Sequence, residues 1–205
     1  MGIRVKYIIS LACVFLISGL VAAHCGQCVD DKKGCLDDSQ KSCIQKAEQS
    51  SVSETAAPDF TLKDINGKEF QLSKHNGKMI VLEWTNYDCP FVKAHYAAET
   101  KTMIQLAEKY ADKDVVWVTI NSTYYATAEA NKEWAQKKQL KQLLLIDSDG
   151  TVGKLYDAKT TPHMFIIDKE GDIVYNGAID NAPMGKKPKE EYVNYVDKAL
   201  TELLD

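Results

Sequence analysis

The sequence predicts an α/β protein, with a mixed central sheet flanked by helices and an N-terminal β-hairpin. Three observations lead there. From Pro58 onward, short apolar runs of strand length alternate with longer stretches of helical periodicity. Asn66-Gly67, a strong two-residue turn signal, separates two short strand candidates near the start. A second pair of strands, joined by Lys169-Glu170-Gly171, stands near the end. The resulting order is hairpin, β, α, β, α, β, β, α, in which parallel crossovers precede a terminal antiparallel hairpin.

The elements follow from local chemistry. Asp59-Phe60-Thr61-Leu62 and Glu69-Phe70-Gln71-Leu72 are the arms of the first hairpin. Met79 to Trp84 is almost wholly apolar and reads as a buried strand. Pro90 sits in the first turn of the next helix, where its missing N–H would be unpaired anyway. Val92, Tyr96, Met103, Leu106 and Tyr110 then form one apolar stripe, which predicts a single helix from Pro90 to about Tyr110. Val115 to Ile120 is a second buried strand, Thr127 to Gln139 a second helix, and Leu143 to Ile146 a candidate short strand before Asp149-Gly150. Met164 to Ile167 and Ile173 to Tyr175 form the second hairpin, and Glu190 to Leu204 closes the fold as an amphipathic helix.

Two regions precede this domain, which spans 57–205. Arg4 and Lys6 form a basic start, Tyr7 to Val21 is apolar, and Val21-Ala22-Ala23 offers small residues for cleavage, so 1–23 reads as a secretory signal peptide rather than a membrane anchor. The chain is thus expected to be secreted into a periplasm or similar oxidising space, touching membrane only through this segment if it stays uncleaved. Residues 24–56 form a cysteine-rich segment and linker: Cys25, Cys28, Cys35 and Cys43 lie among acids and lysines, 36–48 has the composition of a short helix, and Gln49 to Ala57 is rich in Ser, Thr and Ala. Three readings of these cysteines are open. They form structural disulfides, as cysteines of exported chains normally do; or Cys25 and Cys28, spaced Cys-x-x-Cys, are resolving thiols; or the segment holds zinc or copper, with His24 as a further ligand.

Composition narrows the function. The chain carries 25 Lys plus Arg against 29 Asp plus Glu, a net charge of -4. Loss of Arg4 and Lys6 with the signal makes this more negative, and no basic cluster remains, which argues against nucleic acid as a partner. Arg4 is the only arginine, so the mature chain lacks the planar fork that clamps phosphate or carboxylate.

The chemistry concentrates on Cys89, the one cysteine of the 57–205 domain. It lies in Asp88-Cys89-Pro90-Phe91-Val92, where a strand gives way to a helix. Unpaired N–H groups and the helix dipole at such a start favour thiolate over thiol. A buried, inert thiol is the competing reading. Thr160-Thr161-Pro162-His163 precedes a later strand.

From Ala57-Pro58-Asp59-Phe60 through Leu82-Glu83-Trp84, Asp88-Cys89-Pro90-Phe91-Val92 and Thr161-Pro162 to Tyr175-Asn176-Gly177, the chain resembles the thioredoxin-like redoxins, and within them the alkyl hydroperoxide reductase and thiol-specific antioxidant group. The resemblance covers roughly 57–180. It implies a thioredoxin-like fold, Cys89 as nucleophile, Pro162 as a cis-proline beside it after Thr161, and Glu83 as the strand acid that exchanges protons beneath the site. It also implies a protein disulfide, thiol or hydroperoxide as substrate and an external thiol as reductant, with no cofactor. The departures are specific. Val92 occupies the second position of the thioredoxin Cys-x-x-Cys, so Cys89 cannot close a local disulfide and must be resolved by another thiol. Asn86 stands where peroxiredoxins place Thr or Ser, with Thr85 one step back, and their activating arginine is missing; Lys93 supplies charge without a fork.

Neighbouring residues carry plainer expectations. Glu83 is either a proton relay or a strand residue paired with a lysine. His163 either approaches Cys89 or is a loop side chain, His95 is expected to be a surface residue pointing away from Cys89, and Trp84, Tyr87 and Phe91 pack around the site. Asp88 opposes a thiolate yet suits the helix dipole. The sequence thus describes an exported thiol oxidoreductase. Its rivals are a metal-handling protein built on the cysteine-rich segment and a redox-inactive module that holds peptide near Pro162.

Overall fold

The computed structural model describes residues 55–205. The expectations for the signal segment, the 36–48 helix and the four N-terminal cysteines lie outside the described residues. The first hairpin pairs β1 (Thr61–Asp64) with β2 (Glu69–Gln71), antiparallel. Its turn holds because Gly67 takes a positive φ of 82° and the Asp64 carboxylate accepts the Asn66 and Lys68 amides at 2.8 Å each. β3 (Met79–Thr85) is buried at all seven positions, as a strand covered on both faces must be. It lies parallel to β4 (Val115–Asn121), which lies parallel to β5 (Leu143–Ile146). β6 (His163–Ile167) and β7 (Ile173–Gly177) add antiparallel on the other side of β3. The seven-stranded order is β2-β1-β5-β4-β3-β6-β7, a mixed sheet as expected.

The helices depart from expectation in three places. The stretch from Pro90 to Tyr110 is two helices, α1 (Pro90–His95) and α2 (Thr102–Tyr110). Lys101 takes a left-handed φ of 46°, and the Thr100 hydroxyl donates to the Ala94 carbonyl at the end of α1. The apolar stripe could not reveal this break, because Val92, Tyr96, Met103, Leu106 and Tyr110 all reach one core cluster across it. α3 (Ala128–Lys138) keeps its expected bounds, with the Thr127 hydroxyl accepting the Ala130 amide and Gln139 closing it at a left-handed φ of 57°. α4 (Thr151–Leu155) was not expected; the buried Asp147 carboxylate accepts the Val152 and Gly153 amides and so nucleates it. α5 (Tyr195–Leu204) starts five residues later than its pattern suggested. Asn194 caps it through the Asp197 amide, and Asn181 pairs with Val193 instead.

Two cores sandwich the sheet. One joins α1, α2 and α5 to the sheet through Val92, Tyr96, Leu106, Val196 and Leu200. The other lies under the hairpin and α4 and holds Phe60, Phe70, Trp84, Tyr156 and Phe165. Burying each such side chain contributes about 1.5–3 kcal/mol, enough to fix the ends of β3, β4 and β6 relative to one another.

Candidate active site

Cross-strand register brings the two key segments together. Trp84 of β3 pairs with His163 of β6, so the chain leaving β3 at Thr85 and the chain entering β6 at Pro162 meet at one end of the sheet. The Thr161–Pro162 bond is cis. Asn86 shapes the turn between β3 and α1. Its side-chain oxygen accepts the Asp88 amide at 2.8 Å and its carbonyl accepts the Cys89 amide at 3.0 Å. Asn86 is therefore a turn-forming residue that sets the position of Cys89.

Cys89 is the N-cap of α1, with Pro90 in the first turn. The sulfur is half-buried, packs against the α1–α2 core and makes no capping bond to the helix amides. Instead its thiol donates to the Thr161 carbonyl, Sγ to O 3.1 Å. A thiolate has no proton to give, so the sulfur must leave this contact before it attacks. A cleft of about 230 Å³ adjoins the pair, lined by Asn86, Thr123, Lys159, Thr160 and Thr161 among others.

Glu83 is fully buried two residues before the end of β3. Among the described residues its polar partners are Tyr96, Trp117 and Thr119 rather than a lysine, which does not support the ion-pair reading. Oε1 accepts from the Tyr96 hydroxyl at 2.6 Å, while Oε2 accepts from Trp117 Nε1 at 3.0 Å and from the Thr119 hydroxyl at 3.3 Å. Burial raises its pKa against these three donors, to about 7. The Tyr96 hydroxyl is itself pushed well above the ordinary phenol range, by burial first and then by the Glu83 charge. Tyr96, Trp117 and Thr119 were not singled out from the sequence as site residues. The signal was present only in register: Trp117 and Thr119 alternate on β4, and Thr119 pairs with Glu83.

The remaining side chains sort as follows. His163 lies on β6, not in a loop. Its Nδ1 accepts the Lys159 amide at 3.2 Å, which makes Nε2 the protonated nitrogen, and Nε2 donates to Asn176 Oδ1 at 2.7 Å. Trp84 is buried and donates to the Ser122 hydroxyl. Tyr87 is half-buried near Trp134, but Phe91, expected to pack, is 42 % exposed beside Cys89. Lys93 reaches Asp88 at 3.5 Å, so each offsets the other's charge near the sulfur. His95 is the clear correction. It is fully buried, with Nδ1 3.6 Å from the buried Asp180 carboxylate. The segment between β7 and α5 covers it: Gly185 lies against the Ala94 carbonyl, and Tyr192 donates to Asp180 at 2.9 Å. Burial lowers the His95 pKa, and the Asp180 charge opposes that. Cys89 is the one cysteine among the described residues, and no group of three or more metal-binding side chains occurs among them.

The chain is similar to several known proteins. The chain is 29% identical over 143 residues to the thiol-disulfide oxidoreductase ResA of Bacillus thuringiensis subsp. konkukian, covering 69% of this chain and 75% of that protein. Among solved structures, an uncharacterized conserved protein from Geobacillus kaustophilus superposes with a TM-score of 0.62 at 28% identity, covering 73% of this chain and 80% of that one. The pneumococcal exposed lipoprotein thioredoxin Etrx1 of Streptococcus pneumoniae superposes with a TM-score of 0.55 at 25% identity, covering 71% and 100%. These likenesses, with the mixed sheet and its flanking helices, show the thioredoxin-like fold. A sequence model of the AhpC/TSA family matches residues 54–176, the span that carries β1 to β6 and most of β7 together with Glu83, Cys89 and Pro162, and the chain belongs to that family.

Proposed function

We propose that the chain is an exported thiol–disulfide oxidoreductase that works through Cys89 and borrows its resolving thiol. The observation that carries this reading is the half-buried Cys89 sulfur, 3.1 Å from the Thr161 carbonyl where β3 turns into α1. The likeness to ResA, a protein named for this activity, supports the reaction class. The Cys89 thiolate attacks one sulfur of a substrate disulfide, forming a mixed disulfide and releasing the other sulfur as thiolate. A second thiolate then attacks Cys89 or its partner sulfur, breaks the mixed disulfide and carries the oxidation away. Val92, fully buried one turn into α1, holds the position of a local resolver. Cys25 and Cys28 are the proposed resolving pair, and a small thiol or a second protein regenerates them.

Disulfide exchange is favoured over peroxide reduction on electrostatic grounds. No arginine follows Arg4, and Lys93 is engaged with Asp88. A peroxide oxygen attacked by sulfur would find no planar guanidinium to take its developing charge. Cys89→Ser is expected to reduce exchange with a model disulfide to the uncatalysed rate. Cys25→Ser with Cys28→Ser is expected to leave a long-lived Cys89 adduct visible by mass spectrometry. Normal turnover in that double variant would defeat the borrowed-resolver reading while leaving Cys89 as nucleophile.

A further inference from the structure

Glu83 is sealed inside the protein, yet any exchange of protons with Cys89 chemistry requires that its own proton be replenished. We propose that Tyr96 is the positioning residue that passes this proton, linking Glu83 to solvent at the edge of the molecule where Gln142 lies. The inference rests on the role given to Glu83 in the proposed oxidoreductase, but the path itself follows from hydrogen-bond accounting.

Glu83 has three hydrogen-bonding partners. Trp117 is buried and its indole only donates; Thr119 is fully buried. Among the described residues, Tyr96 is the partner that contacts a polar group reaching the exterior: its hydroxyl accepts from Gln142 Nε2 at 3.3 Å, and Gln142 is half-buried. The ring packs against the edge of Trp134 at 5.0 Å between ring centres, and the Lys138 ammonium holds the Tyr96 backbone by donating to its carbonyl at 2.8 Å. As arranged, every donor points inward, Gln142 to Tyr96 and Tyr96 to Glu83, which solvates an ionised carboxylate. Oε2 faces an obligate donor in Trp117, so Oε1 is the oxygen to which the proton is added.

The transfer balances without an added reagent. Tyr96 gives its hydroxyl proton to Glu83 Oε1 while the phenol oxygen takes a proton from hydronium at the Gln142 edge, which leaves as water, and release is the reverse. A concerted shift avoids the phenolate, which burial and the Glu83 charge disfavour. Rotation of the Gln142 amide supplies the acceptor that the reoriented hydroxyl needs.

The test follows deuterium entering the protonated Glu83 carboxyl, read as the shift of its infrared carbonyl band on mixing the full-length protein into D2O below the Glu83 midpoint. The band is assigned by its loss in Glu83→Gln. Tyr96→Phe is expected to slow this exchange at least tenfold, and Gln142→Leu, which leaves the Tyr96–Glu83 bond in place, to slow it severalfold. Circular dichroism checks that both variants are folded. Exchange as fast as wild type in Gln142→Leu and in folded Tyr96→Phe would overturn the route and assign the proton to the Cys89 cleft. Should Tyr96→Phe fail to fold, Gln142→Leu decides alone. Because the readout is the carboxyl itself, it is independent of whether Cys89 turns over: Cys89→Ser is expected to exchange normally.

Discussion

Glu83 couples stability to pH in a way that follows from where its proton resides. In the unfolded chain this carboxyl ionises above about 4.5, whereas in the fold it stays protonated until about 7. Between those values the folded state binds the extra proton, so stability falls as pH rises through the window, by about 3 kcal/mol in all. Denaturant titrations of wild type and Glu83→Gln at pH 5 and 8 are expected to show that loss in wild type only; parallel curves would refute it. His95 acts in the opposite sense. Its lowered pKa means that the unfolded chain takes up a proton first as pH falls below about 6.5, so stability declines toward acid. Asp180 and Tyr192 are the titratable groups that face this pocket. Neither ring nitrogen of His95 has a hydrogen-bond partner, and replacement by an apolar residue is expected to cost little at neutral pH and to flatten the acid-side decline. The two residues also mark how far the sequence could be read. Glu83 was identifiable as an acid in an apolar strand; its partners arrive from β4 and α1 through register that no local window contains. For His95, helical geometry suggested a surface side chain, but this part of α1 is covered by a segment some ninety residues later in the chain.

At the scale of elements, the ends expected near Tyr110, Gln139 and Leu204 match the structure, whereas starts were read correctly only where local chemistry marked them. Thr127 and Pro90 mark true starts because a side-chain acceptor and a missing N–H act within one turn. The late start of α5 has the same cause. Asn194 accepts the Asp197 amide at 2.8 Å, and Asn194→Ala is expected to cost about 1 kcal/mol, read as a lowered denaturant midpoint. The strap that crosses α1 depends on Gly185, whose φ of 68° suits glycine and whose absent Cβ would sit 3.1 Å from the Ala94 carbonyl oxygen. Gly185→Ala combines strain with a backbone clash and is expected to destabilise by about 1–3 kcal/mol. The loosened strap should also expose His95, measured as faster deuterium exchange at its ring. Unchanged stability and ring exchange would mean that the strap contributes nothing to sealing α1. The division of α1 from α2 and the existence of α4 were invisible to pattern alone, since one depends on a threonine reaching back six residues and the other on a buried aspartate from the preceding turn.

Across the whole molecule, the described chain begins far from the reactive sulfur. Thr55 and Ala57 hydrogen-bond to the turn that closes β6 and β7, at the end of β6 remote from Thr161. Five strand residues separate these ends, about 17 Å. On the proposed reading, a spacer the length of Val29 to Glu54, up to roughly 90 Å when fully extended, is long enough to let Cys28 act on Cys89 of the same chain. Tethering makes that encounter independent of protein concentration. The proposed Cys89–Cys28 or Cys89–Cys25 bond is therefore expected to form at the same rate over a hundredfold dilution, followed by quenched mass spectrometry; a rate proportional to concentration would assign resolution to a second copy. Overall architecture was legible because the succession of strands and helices follows from alternating apolar runs, whereas the proposed resolving step was not, because no local pattern pairs Cys89 with a particular thiol. The buried Val92 gives this arrangement its temporal character. A protein that carries both sulfurs on one helix lets go of its client as fast as its own helix permits; here, on the proposed reading, each client remains covalently captive until a reduced Cys25 or Cys28 reaches it, so the lifetime of the captured state tracks the fraction of that pair the surroundings keep reduced.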